Sequence, residues 1–82
     1  MGRPKTSELA AFDPRPMEAA LKTVMAHMEV EQKILSLRPD LTILEIRNNA
    51  KRITEKATMP YYNVLRGLLG MAEAGEPMEW ER

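Results

Sequence analysis

The apolar positions of the chain fall into helical stripes separated by two proline-marked turns. Met17, Ala20, Leu21, Val24 and Met28 recur at spacings of three and four and share one helix face. Val30, Ile34 and Leu37 share a second face, rotated by roughly 120–150° at ~100° per residue. Asp13 as N-cap and Pro14 in the first turn start this helix, and Arg38-Pro39 stops it after Leu37, because a residue before proline avoids the α region. The change of face predicts one of two things. Either the helix breaks near His27 to Glu29, or it meets different neighbours along its length, a second chain among them, and the rotated face at Val30, Ile34 and Leu37 is the one expected to pair in a homodimer.

Thr42-Ile43-Leu44-Glu45 has the residue order of a capping box. Ile43, Ile46, Ala50, Ile53 and Ala57 follow at alternating spacings of three and four, which predicts a helix from about 42 to 57 with a break available at Asn48-Asn49. After the Thr58-Met59-Pro60 turn, a last helix runs from about Tyr61 to Ala74, burying Val64, Leu68 and Met71 and stopping at Gly75. In "EPMEWER", Met78 and Trp80 alternate with acids, as in one short extended segment packing back on the helices. The expected fold is mainly α: three to four helices in one domain over 13–82, preceded by a basic arm over 1–12.

Eighty-two residues suffice for one small domain with a marginal core, a size at which oligomers are common. Hydrophobic residues at 44% and charged residues at 29% argue for a folded chain. The absence of cysteine excludes a disulfide scaffold and a thiolate metal site. No apolar run approaches the ~18 residues of a membrane span, and the first residues lack the apolar core of a secretory signal. No membrane partner is expected, and a cytoplasmic location is.

The formal net charge is zero, but the charges are segregated. Between positions 47 and 66 stand Arg47, Lys51, Arg52, Lys56 and Arg66 against Glu55 alone, a local excess of +4. From 73 to 82 stand Glu73, Glu76, Glu79 and Glu81 against Arg82, a local −3. Such separation bears on partner choice more than the sum does. A basic helix, a tight turn and a second helix with a polar mouth suggest a helix-turn-helix.

The stretch "NAKRITEKATMPYYNVLRGLLGMAEAG" resembles the helix-turn-helix of winged-helix bacterial regulators, notably those of the isocitrate-lyase-repressor type. In that family an "EIA" helix precedes a "GLP" turn and a helix ending "EEAG". The resemblance makes Ile53 and Ala57 the inner face of the first helix, Met59-Pro60 the turn, and Val64, Leu68 and Met71 the anchors of a recognition helix. Thr58 stands where the family has its glycine, and the wing is absent or reduced to one short, acidic C-terminal strand.

The chemistry of DNA reading fits these residues. Tyr61, Tyr62, Asn63 and Arg66 are the outward positions that would read bases, since Asn pairs bidentately with adenine and Arg with guanine. Arg47, Lys51, Arg52 and Lys56 would hold phosphates and fix register. Arg3 and Lys5, in a Gly-Arg-Pro context resembling an AT-hook, would add a minor-groove arm. Blander assignments stand beside these: half-buried tyrosines completing a small core, a solvated basic helix face, and an arm with no ligand.

His27, the single histidine, has no second histidine or thiol to complete a ligand set, and no phosphate loop or nucleophile motif occurs. Neither an enzyme, a metal, a cofactor nor a small-molecule substrate is expected. The functional expectation is a double-stranded DNA-binding regulator, a repressor of bacterial, phage or plasmid type acting as a homodimer. The rival is a protein-binding helical module, an adaptor or antitoxin-like partner, using the methionine-rich first helix.

Overall fold

Of the two explanations that the sequence offers for the change of face in the first helix, the structure rules out the break. In the computed structural model, which describes residues 13–82, α1 runs unbroken over Arg15–Leu37. It is followed by α2, Ile43–Ala57, α3, Tyr61–Glu73, and a terminal 3-10 turn, Glu79–Glu81. No strand occurs among the described residues, so the short C-terminal strand expected from Met78 and Trp80 is corrected to this turn.

Each helix end has a local cause. Pro14 occupies the N-cap of α1, and Asp13 accepts the Arg15 backbone N–H from one residue further out. Thr42 caps α2 by accepting the Glu45 N–H at 3.0 Å. The other half of the expected capping box is diverted, because the Glu45 carboxylate accepts the Trp80 indole N–H at 3.0 Å. Asn48-Asn49 does not interrupt α2, and Asn49 donates its side-chain amide to the Glu45 carbonyl one turn back. At the end of α3 the Glu76 N–H reaches the Met71 carbonyl and the Gly75 N–H the Ala72 carbonyl. That is a Schellman closure, and it needs a left-handed residue at Gly75, whose φ is 71°.

The core gathers Val30 and Ile34 of α1, Leu41 of the turn after it, Ile46 and Ala50 of α2, Val64, Leu65, Leu68, Leu69 and Ala72 of α3, and Met78. α3 is the central element, packing mainly on α1 and less on α2. Of the anchors expected on α3, Val64 and Leu68 are buried and Met71 is half-buried; Leu65 and Leu69 widen the buried face. Met78 is fully buried and brings the C-terminal turn onto the helices. Burying a side chain of this size is worth about 1.5–3 kcal/mol, a sizeable contribution in a domain with so small a core.

The two faces of α1 have opposite fates. Val30 and Ile34, expected to be open to a second chain, belong to the molecule's own core; only Leu37 of that trio is exposed. Met17, Leu21, Val24 and Met28, the longer of the two stripes, lie in solvent, as do all residues from Arg15 to Met25. At ~1.5 Å per residue, roughly 15 Å of α1 stands clear of the other helices. No described helix is long and apolar enough to cross a membrane.

Candidate nucleic-acid interface

The turn between α2 and α3 is built on a residue that sterics disfavour there. Thr58 has φ 52° and ψ 41°, the left-handed conformation at the α2 C-cap, where a β-branched side chain costs about 1–2 kcal/mol. Its hydroxyl donates to the Ala57 carbonyl at 2.6 Å. Pro60 then supplies an extended N-cap to α3, with no side chain capping the helix. The uncapped first-turn N–H groups and the positive end of the helix dipole therefore open outward.

Around this mouth the eight expected contact residues on the helices do not form one surface. Tyr62, Asn63 and Arg66 are exposed on α3, as are Lys51, Arg52 and Lys56 on α2. None of the last three, nor Arg66, takes part in an ion pair among the described residues. Arg52 donates to the Asn49 side chain one turn back. At ~100° per residue, Lys51 lies on the Arg47 flank of α2, whereas Arg52 and Lys56 share the other. On α3, Asn63 turns toward Ile53, Met59, Gly67 and Met71, with which it lines a shallow groove of about 160 Å³. Tyr62 turns toward α1, its ring 6.1 Å from that of His27.

Two residues have other engagements. Tyr61 is half-buried, its ring edge-on to His27 at 4.9 Å. Burial first, then the nearby Glu31 carboxylate, pushes the Tyr61 hydroxyl above the usual tyrosine range. Arg47 donates Nε to Glu31 Oε2 at 3.0 Å and Nη2 to Glu31 Oε1 at 2.9 Å, a two-pronged pair that holds the guanidinium firmly charged. Glu31 is 2% exposed, so this pair joins α1 to α2 from inside. The Glu31–Arg47–Tyr61 cluster escapes sequence reasoning because Glu31 sits among polar residues that read as solvent-facing. A buried acid sixteen residues from its arginine leaves no local signature.

The acidic C-terminus lies closer to the basic flank than its sequence distance suggests. Arg52, Ile53, Lys56, Glu79 and Trp80 line a cleft of about 350 Å³. Arg38 fastens the terminal turn, donating to both Glu81 oxygens at 2.8 and 2.6 Å and to both Asp40 oxygens at 3.1 and 2.8 Å. Through these bonds Arg38 holds the Glu81 and Asp40 carboxyls below the usual carboxylate range. No group of three or more His, Cys, Asp or Glu side chains able to hold a metal occurs among the described residues. The arm residues Arg3 and Lys5 lie outside those residues.

Comparison of the chain with protein-family models, with curated proteins and with solved structures finds no match in any of the three.

Proposed function

We propose that the chain is a double-stranded DNA-binding module in which α2, the Thr58–Pro60 turn and α3 meet the duplex. The observation that carries this reading is the set of exposed basic side chains without ion-pair partners, Arg52, Lys56 and Arg66, on two helices joined by a three-residue turn. Beside them stand the exposed polar residues Tyr62 and Asn63 at an uncapped helix N-terminus. Asn63 and Arg66 have the chemistry to read base edges, and Tyr62, Arg52, Lys56 and the α3 N-terminus that to hold phosphates, with Lys51 on the far flank of α2 left outside this set. Arg47 and Tyr61 serve this surface indirectly, by fixing α2 and the mouth of α3 against α1. The role that fits the reading is transcriptional regulation, with Arg3 and Lys5 available as an arm.

Titration of labelled duplex DNA at several salt concentrations tests this. Three to four phosphate contacts give log K falling against log salt with a slope of about −3 to −4. Absence of binding at low salt overturns the proposal. A second reading, a protein-binding helical module, is favoured by the apolar residues of α1 that no other described helix covers.

A further inference from the structure

The exposed stripe of α1 has a symmetry that its polar surroundings lack. Met17, Leu21, Val24 and Met28 are spaced 4-3-4, an order that reads the same in either direction, with methionine at both ends. Met25 widens the stripe, and Ala20 lies on its other edge. Their exposures, 57% for Met17, 56% for Leu21, 51% for Val24, 67% for Met25 and 46% for Met28, leave this face almost wholly in water.

We propose that this stripe is the contact face of an antiparallel homodimer whose twofold axis passes between Lys22 and Thr23. About that axis Met17 meets Met28 of the second copy and Leu21 meets Val24, while each edge of the stripe meets the same edge of its partner. A twofold interface demands a patch complementary to itself, and a palindromic stripe satisfies that demand where an irregular one would not. The 4-3-4 spacing is also the seam spacing of paired helices. Charge does not oppose the pairing, since Glu18 alone among the residues bordering the seam is acidic.

The area fits a second copy as well. The five side chains expose roughly 500 Å² of apolar surface per chain, so two copies bury on the order of 1,000 Å², the lower end for a specific interface. An interface at that end of the range suits a weak, reversible dimer whose population grows with concentration. α2, α3 and the terminal turn pack on the other side and the far half of α1, so the second copy reaches the stripe without displacing the core. The inference rests on α1 alone and holds whether or not the chain binds DNA.

Sedimentation equilibrium of the full chain without DNA, from about 1 to 200 µM, should show the 9.4 kDa mass doubling as concentration rises. Leu21→Glu combined with Val24→Glu should weaken association at least tenfold, with helical circular dichroism and Trp80 fluorescence retained because neither residue touches the core. The chain has no cysteine, which makes the pairing geometry readable. With a short thiol crosslinker, a mixture of Met17→Cys and Met28→Cys chains should crosslink. Met17→Cys alone should not, its two copies lying about 16 Å apart along the axis. A monomer at every concentration overturns the proposal, including one that instead binds anionic lipid vesicles through α1. Efficient crosslinking of Met17→Cys alone overturns the antiparallel geometry.

Discussion

Arg47→Met should be one of the more destabilising single changes on the surface of this protein, although Arg47 looks like an ordinary exposed cation. Its side chain is 47% exposed, but the Glu31 side chain it neutralises is only 3% exposed. The attraction of the pair is about 4 kcal/mol at an effective dielectric of 20, and burying Glu31 consumes most of it. The pair therefore contributes little net stability, whereas removing the arginine alone strands a buried carboxylate. For a fully buried pair that costs about 3–5 kcal/mol. Here water can enter the space left by the half-exposed guanidinium, so about 2–3 kcal/mol is expected.

In a domain of this size such a loss lowers Tm by roughly 10–20 °C. Glu31→Gln should cost much less, because Arg47 can turn to solvent. Glu31→Met combined with Arg47→Met should return most of the lost stability by replacing the pair with apolar packing. Urea and thermal unfolding, followed by circular dichroism and by Trp80 fluorescence, give these differences. If Arg47→Met costs no more than Glu31→Gln, or the double variant is no better than Arg47→Met, then Glu31 is not the buried, dependent partner described above. The same asymmetry makes Arg47→Ala a poor probe of phosphate contact, since it would weaken binding by loosening α2.

Thr58→Gly should raise stability by about 1 kcal/mol, relief of the left-handed strain exceeding the entropy glycine brings to the unfolded chain; an unchanged or lower denaturation midpoint refutes this. Thr54→Val should stabilise by up to about 1 kcal/mol, because the Thr54 hydroxyl is buried without a hydrogen-bond partner; a clear loss in urea unfolding would show that it has one. Glu81 and Asp40 have lowered folded pKa values, through Arg38 first, so their stabilisation is present above the unfolded carboxylate range and lost as pH falls through the folded values. The terminal turn should accordingly loosen below about pH 4, and Trp80 fluorescence that stays flat through that acid range counts against it. Tyr61, raised mainly by burial, should ionise above the ordinary tyrosine pKa of about 10, and its stabilisation should fade as pH rises through the folded value; ultraviolet titration of the Tyr62→Phe variant isolates it.

Helix existence and helix ends were legible in the sequence because they depend on local chemistry. Thr42 caps, Gly75 takes the left-handed stop and Pro39 forbids continuation whatever the tertiary contacts are. The interruptions that the sequence left open at His27 to Glu29 and at Asn48-Asn49 do not occur, because propensity for a turn loses to an intact ladder of helical hydrogen bonds. The terminal segment was misread as extended because alternation of Met78 and Trp80 with acids is a strand pattern. Its partners, Arg38 and Glu45, lie some forty residues earlier. In the candidate interface, sequence spacing could list basic and polar residues but could not say which were already engaged. That depends on Glu31 being buried, and nothing near Glu31 in the chain announces it.

The burial of Val30 and Ile34 rather than the Met17–Met28 stripe follows from the same limitation and has a physical reason. Periodicity reports that a face is apolar; it does not report what covers it. The stripe from Met17 to Met28 is the longer and more regular of the two, yet α3 lies against Val30 and Ile34. The core must close around α3, the most apolar helix, and the short turns at Arg38–Thr42 and Thr58–Pro60 return the chain to the C-terminal half of α1. Connections of a few residues cannot carry α2 and α3 back to Met17, so the nearer apolar pair wins although it is the smaller. The larger stripe is left over by topology rather than by composition. An apolar face left over in that way by the described residues, on a helix that continues past its own core, must be covered by something beyond them or remain a standing liability in water.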